Sequence, residues 1–223
     1  MEVGGIKLEY LGHSGFLITN GGGNRIAIDP YNVSQGIEKV DLILITHGHY
    51  DHCSIKDIEL LAKKGTIVVV PPDAQSKVTR VKDVEMQVMN IKDEFSFGHV
   101  KIETVHAYNV EKEFHPKKEG WVGYLLKFPN VVIYHAGDTD KISEMNNLTG
   151  YAGKGTELIA LLPVSGQFVM TAEEAADAAE MIKPSLAVPM HYGSGVVGSE
   201  EDAKKFVEIC RKSGINAMIL NRI

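Results

Sequence analysis

Three imidazoles and a carboxylate crowd into six residues of this chain, in Thr46-His47-Gly48-His49-Tyr50-Asp51-His52-Cys53. The apolar run Val40-Asp41-Leu42-Ile43-Leu44-Ile45 leads directly into them and reads as a buried β-strand. Ser54-Ile55-Lys56-Asp57-Ile58-Glu59-Leu60-Leu61 reads as a helix opening just after. The cluster therefore occupies the turn that leaves the carboxyl end of a strand, where α/β proteins place binding sites. His47 and His49 are two residues apart, so in extended backbone both side chains leave on the same side. On a helix they would diverge by roughly 200°. Asp51 and His52 are adjacent and diverge as the chain turns, which suits two neighbouring metal ions better than one. A polar loop with self-satisfied histidines is the bland alternative, and the preceding buried strand argues against it.

Bulk properties limit the classes available. The 223 residues fit one large α/β domain, and a domain of that size needs no covalent staple. Cys53 and Cys210 lie far apart and form no disulfide framework, so a reducing, cytoplasmic setting is expected. The opening Met1-Glu2-Val3-Gly4-Gly5 has neither the basic nor the apolar region of a signal peptide. No apolar run reaches the roughly 20 residues of a membrane span. A net charge of −6 and a pI near 5.8 argue against nucleic acid as a partner. The expected partner is a small-molecule substrate, without membrane or nucleic acid, and a homo-oligomer is compatible with the sequence.

Along the chain, strands are expected at 6–11, 16–19, 25–29, 66–70, 100–105, 121–127, 131–134, 158–162, 185–189 and 216–220, with Pro, Gly and Asn punctuating them. Short helices are expected near 74–80 and 141–147. Thr171-Ala172-Glu173-Glu174 has capping-box spacing and opens an alanine-rich helix to about Ile182, and Ser199-Glu200-Glu201-Asp202 caps a final amphipathic helix. A meander followed by helix-linked strands recurs in each half. Two face-to-face mixed β-sheets with helices outside, an αββα sandwich in a single domain over 1–223, is the architecture this predicts. The charged stretch from Glu111 to Glu119 reads as a solvated loop, with a lid over substrate as the alternative.

Three further polar residues stand where apolar strands end: His106, Asp138 and His191. With the central cluster they give five His and two Asp, enough for two ions that share Asp138 and keep room for water and substrate. Nitrogen and oxygen donors without thiolate suit Zn, and Mn or Fe equally by donor type.

The ordered set HxHxDH, then His106, Asp138 and His191, resembles the metallo-β-lactamase-fold superfamily of dinuclear hydrolases. Leu11-Gly12-His13-Ser14-Gly15-Phe16, Ala27-Ile28-Asp29-Pro30, His135-Ala136-Gly137-Asp138-Thr139 and Val188-Pro189-Met190-His191-Tyr192 resemble a narrower branch, small metal-dependent hydrolases related to ascorbate-6-phosphate lactonase. The resemblance implies one metal on His47, His49 and His106, another on Asp51, His52 and His191, and Asp138 bridging. It implies hydrolysis of a small lactone, carboxylic ester or phosphoester by a metal-bridging hydroxide, with Asp51 and Asp138 as catalytic carboxylates. True class B lactamases generally carry Cys where Asp138 stands, which counts against antibiotic hydrolysis. Asp29 is expected to orient a ligand histidine. His13, His135, Tyr108, Asn109, Ser165 and Tyr192 are candidates for the rim of the substrate pocket. A nuclease of the same fold would need a basic track that the scattered lysines do not form. A metal-bound sensor without turnover is the non-enzymatic alternative.

Overall fold

The computed structural model describes residues 1–153 and 155–223. The chain folds into two compact units, Met1–Asn90 with Leu220–Ile223, and Ile91–Ile219. The first is built on a seven-stranded sheet of β1 (Glu2–Val3), β2 (Ile6–Gly12), β3 (Gly15–Asn20), β4 (Arg25–Ile28), β5 (Val40–Leu44), β6 (Ala62–Val70) and β7 (Val84–Val88), in that spatial order. Strands β1 to β4 are antiparallel neighbours, and β4 to β7 run parallel. Helix α1 (Ile55–Leu61) follows β5, and a short α2 (Gln75–Val78) follows β6.

The periodicity of the sequence explains the packing. Ile43 and Ile45 of the β5 region, Val68 and Val70 of β6, and Ile58 and Leu61 of α1 form one buried apolar cluster. Leu42, Leu44 and Val69 point to the opposite face and are also fully buried. Central parallel strands covered on both faces read as continuous apolar runs, as this segment does. Ser54 caps α1, its hydroxyl accepting from the Asp57 N–H, so the loop from Ile45 to Ser54 is fixed at both ends.

The second unit repeats the scheme with six strands. These are β8 (Glu94–Phe97), β9 (Val100–His106), β10 (Val122–Lys127), β11 (Val131–His135), β12 (Glu157–Pro163) and β13 (Leu186–Met190), again adjacent in chain order. Strands β8 to β11 are antiparallel and β11 to β13 parallel. Helix α3 (Ala172–Ile182) carries the expected capping box between Thr171 and Glu174, and α4 (Glu200–Lys212) carries another between Ser199 and Asp202. Alanines 175, 178 and 179 are fully buried, so α3 packs closely with α4 and β12.

Two expectations need correction. The segment 216–220 forms no strand; it makes only an isolated bridge from Ala217 to Ala187, and Arg222 bridges to Tyr10. The helix expected near 141–147 is a 3-10 turn over Ser143–Leu148, since Asn146 and Asn147 are poor helix formers and Thr149-Gly150 end the run. Strands β1, β7 and β8 add to the expected set, because β1 is only two residues long and the other two stretches are too polar to show a clear alternation. Among the described residues, no helix is long and apolar enough to cross a membrane.

Gly123 lies in the middle of the second sheet, opposite Val105 on β9. A Cβ there would meet the His135 carbonyl at 2.7 Å and the Ala136 carbonyl at 2.8 Å, and backbone cannot step aside. Gly123→Ala is therefore expected to destabilise the protein by about 1–3 kcal/mol, the usual cost of overpacking. Chemical denaturation checks this, and an unchanged midpoint would contradict the packing described.

Candidate metal centre

Parallel strands deliver their carboxyl ends to one edge of a sheet, and both units use that edge. In the first unit, β4 ends one residue before Asp29 and β5 two residues before Thr46-His47. Asp29 is fully buried with φ of +42°, and its carboxylate accepts three hydrogen bonds. They come from the Thr46 N–H at 2.8 Å, the Thr46 hydroxyl at 2.6 Å and His52 Nδ1 at 2.8 Å. Because the Thr46 hydroxyl donates to Asp29, its oxygen is left to accept from His47 Nδ1 at 3.0 Å. Two histidines thus have their Nδ1 protons fixed by a single carboxylate, one directly and one through a hydroxyl. This leaves each Nε2 as a lone-pair donor, the arrangement that prepares imidazole for a metal.

The remaining groups of the motif gather around these two. His47 Nε2 faces His49 Nδ1 at 3.0 Å. His13, Asp51 and His52 each offer a ligand atom within 4.8 Å of one another, and His13 Nε2 lies 2.9 Å from Asp51 Oδ2. His13 thus contacts a motif carboxylate rather than standing apart on a rim. Gly48 donates its N–H to Asp73 at 2.8 Å, and Lys77 bonds the Gly48 carbonyl, so the turn between the two histidines is tied down from the segment after β6. Cys53 is buried, and that burial pushes its thiol up to about 12, against the depression a helix start could give. It is a filler in the apolar cluster and not a nucleophile.

In the second unit the ends of β11, β12 and β13 present Asp138, Ser165 and His191. His191 Nε2 stands 3.2 Å from Asp138 Oδ2, and its Nδ1 is hydrogen-bonded to the Ser165 hydroxyl at 2.7 Å. His135 accepts the Gly137 N–H on Nδ1 and so shapes the turn that aims Asp138. Tyr192 is buried beside His191.

His106, expected among the ligands, belongs to none of the side-chain groups among the described residues that could hold a metal. Its ring lies 6.1 Å from that of Tyr108 and lines a cavity with Leu125 and Glu144, and burial lowers its pKa. The imidazole that reaches Asp138 within this unit belongs to His115, whose Nε2 is also 3.2 Å from Oδ2. His115 is buried, with φ of +56°, inside a stretch that reads from sequence as a solvated loop. Its Nδ1 donates to the Phe168 carbonyl at 2.9 Å. A carbonyl can only accept, so His115 Nε2 either presents a lone pair to the carboxylate or carries a second proton.

Several hydrogen bonds tie the loop to its surroundings. Buried Asn109 donates its amide to the carbonyls of Phe114 and Phe168. Asp140 accepts from the Val110 N–H and pairs with Lys112. Glu144 accepts from the Tyr108 hydroxyl at 2.9 Å and from Lys117 at 2.8 Å. Tyr108 and Asn109, candidates for the substrate rim, also brace the segment that carries His115. Partial burial pushes the Glu144 carboxyl up, but the hydrogen bonds from Lys117 and Tyr108 outweigh it and hold the group at about 2.

The donor set suits a divalent cation. Lone pairs of two imidazoles facing one buried carboxylate oxygen repel unless a cation lies among them. The 3.2 Å spacings are close to those between ligand atoms each about 2.0–2.2 Å from one ion. Four non-glycine residues of the two clusters, His13, Asp29, His115 and His191, hold left-handed backbone, out of eight such residues described in the chain. Strain of this kind gathers at functional sites and persists only where neighbours over-determine it.

Two outcomes follow. Asp29→Ala and Ser165→Ala should each weaken metal binding by about 10–100-fold, as loss of a group that orients a ligand histidine does; competition with a chromophoric chelator measures it, and unchanged affinity would refute the orienting roles. Glu144 has a folded pKa below its ordinary 4.5, so its contribution is full above 4.5 and is lost as pH falls toward about 2. Metal-free wild type should therefore lose more stability than Glu144→Gln across that window in acid denaturation, and parallel curves would contradict the brace.

Comparison with known proteins agrees with this geometry. The family described as β-lactamase superfamily domain matches residues 7–191. A UPF0173 metal-dependent hydrolase of Koribacter versatilis is 32% identical over 225 residues, covering 94% of this chain and 95% of its own. A crystal structure from Parabacteroides distasonis, assigned as a metal-dependent hydrolase, aligns with a TM-score of 0.82 at 30% identity, over 98% of this chain and 94% of that one. The metallo-β-lactamase fold protein YhfI of Bacillus subtilis aligns with a TM-score of 0.72 over 97% of each chain; at 11% identity it speaks for the fold alone. Motif, mixed sheets and relatives agree: this chain belongs to the β-lactamase superfamily, among the metal-dependent hydrolases of the UPF0173 family.

Proposed function

We propose that the chain is a dinuclear hydrolase of small ester-like substrates, lactones or carboxylic esters first and phosphoesters second. The observation that carries this reading is the convergence of His115 and His191 on one buried oxygen of Asp138, each at 3.2 Å. A carboxylate approached by two imidazoles is the natural bridge between two ions. In this reading His47, His49, Asp51 and His52 of the first unit and His115, Asp138 and His191 of the second would serve as metal ligands. His115 takes the place that the resemblance alone gave to His106.

Bound metals would supply Lewis acidity and lower the pKa of a coordinated water toward about 7. The chain's own residues would do the rest. Asp51 accepts a proton from the attacking water at its carboxylate, and His13 Nε2, 2.9 Å from Oδ2, keeps that carboxylate oriented. Asp29 holds the Nδ1 proton of His52, so that ring cannot turn its proton toward the substrate, and the Ser165 hydroxyl fixes the orientation of the His191 ring. The absence of thiolate from the proposed ligand set keeps the site hard, which suits carbonyl and phosphoryl oxygens. A charge of −6 disfavours an extended polyanion as substrate but leaves a single phosphate or carboxylate acceptable beside two cations.

Metal content and activity test the proposal together. Protein purified without chelator should hold two ions, Zn most readily, with Mn or Fe accepted. Saturation at one ion under excess of each metal would end the dinuclear reading. In a panel of lactones, phosphomonoesters, phosphodiesters, a cephalosporin and a structured RNA, turnover should be confined to small esters. His115→Ala should reduce that turnover by at least about 10³-fold, while His106→Ala leaves it within a few-fold of wild type. Preferential RNA cleavage would favour a nuclease, and full metal occupancy without turnover of any ester would favour a sensor.

A further inference from the structure

Within the first unit a ladder of rings runs outward from the metal-ligand cluster. His52 and His13 are fully buried, with ring centroids 5.5 Å apart. His13 meets Tyr31 edge-on at 5.7 Å, and Tyr31 meets Tyr50 edge-on at 5.9 Å. These spacings and steep tilts are the ones aromatic pairs prefer. Exposure rises along the same order: Tyr31 is half-buried, and Tyr50 at the outer end is 63% exposed. The inner end touches the chemistry, because His13 Nε2 lies 2.9 Å from Asp51 Oδ2.

Local bonding fixes both tyrosines. Tyr31 precedes Asn32 and Val33, whose N–H groups donate to the Asp57 carboxylate at 3.0 and 2.9 Å. Tyr50 lies in a turn closed by the His52 and Cys53 N–H groups, which both donate to the His49 carbonyl. A ring already held in place costs little further entropy when a guest packs on it, and tyrosine offers a large face with few torsions. Exposed apolar side chains also gather at the site. Among the described residues the large ones are Tyr50, Val110, Phe114 and Ile223. Tyr50 separates His49 from Asp51; in the second unit Val110 follows Asn109, and Phe114 precedes His115 and meets Phe168 edge-on at 4.7 Å. Scattered apolar residues are ordinary on a surface, whereas three of four beside candidate-site residues point to a ligand with apolar surface to cover.

We infer that Tyr31 and Tyr50 form a specificity wall, and that the substrate is an ester or lactone whose acyl part carries an aromatic ring, packed on these tyrosines while its carbonyl lies by Asp51. This rests on the hydrolase reading above and narrows it from small esters to aryl-bearing ones. The reach is adequate with a one-carbon spacer. In a phenylacetyl group the ring centre lies about 4 Å from the carbonyl carbon, and a ring contact spans roughly 4.5–7 Å more between centroids. Tyr31 stands a single ring contact beyond His13, which itself touches Asp51. A saccharide ring would bring hydroxyls that lose water against an aromatic face without gaining partners. An acetyl group would leave the wall uncovered.

Binding of the product acids to the Zn-loaded chain, followed by NMR titration, tests the wall without turnover. Phenylacetate should bind about tenfold more tightly than acetate, the advantage expected of one ring contact. Glucuronate, a carboxylate on a hydroxylated ring, should stay within about twofold of acetate. Tyr50→Ala, a change at an exposed position, should reduce the phenylacetate advantage to within about twofold, and Tyr50→Phe should keep it, because the ring and not the hydroxyl makes the contact. Metal content should be equal in all three proteins. In turnover, the ratio of kcat/KM for a phenylacetyl ester over the matching acetyl ester should fall about tenfold in Tyr50→Ala. Equal binding of phenylacetate and acetate, glucuronate matching phenylacetate, an advantage that survives Tyr50→Ala, or metal lost with the tyrosine would each overturn the inference. Turnover of esters without ring preference would sink the wall alone. The expected binding pattern without turnover of any ester would sink the hydrolase reading and leave the wall as an aryl-carboxylate site.

Discussion

A buried carboxylate between two imidazoles is the constraint that the second unit is built to satisfy. Asp138 is 3% exposed, and removing its charge from water is costly unless cations or hydrogen-bond donors replace the solvent. His115 and His191 approach the same oxygen, and each has its other nitrogen committed, to the Phe168 carbonyl and the Ser165 hydroxyl. Such a group of donors is stable only with positive charge at its centre. A metal ion would provide that charge without the coupled protonation that several imidazoles would otherwise need.

The scaffold meets this demand in the same way in both units. Parallel strands end together, and the residues just beyond their ends are held by side chains rather than by further sheet. Asp29 is the anchor in the first unit, where one carboxylate fixes Thr46, His52 and, through the threonine, His47. In the second unit the anchoring is divided among Ser165, Asn109, Asp140 and Glu144, because His115 lies on a long connection and needs more braces. Left-handed backbone at His13, Asp29, His115 and His191 is what this anchoring sustains.

The sequence makes the first unit's cluster legible because everything there is local. An apolar strand, an HxHxDH turn and a capped helix lie within about 20 residues, and strand parity with cap chemistry fixes their relation. Asp29 is readable for the same reason, at the end of a short apolar strand and before Pro30. His115 is not, since its position depends on a connection that leaves β9, doubles back and is held by Asn109 and Phe168, a long-range contact. His106 drew the ligand assignment because it stands at a strand end, yet that position does not determine which way the ring turns. The signal for it in the sequence is His115-Pro116, a histidine before a rigid residue inside a mostly charged loop. The C-terminal segment differs for another reason: the apolar run at 216–220 makes one isolated bridge, because the sequence does not say whether a partner edge accepts a full ladder.

In the proposed centre His115, and not His106, completes a pair of metal ions bridged by Asp138. Anomalous diffraction at the metal's absorption edge, on crystals of protein purified without chelator, tests this most directly. Two peaks should appear beside Asp138, with His115 Nε2 about 2.0–2.1 Å from one of them and the His106 ring clear of both. A single peak, or a peak bonded to His106 with His115 uncoordinated, would contradict it.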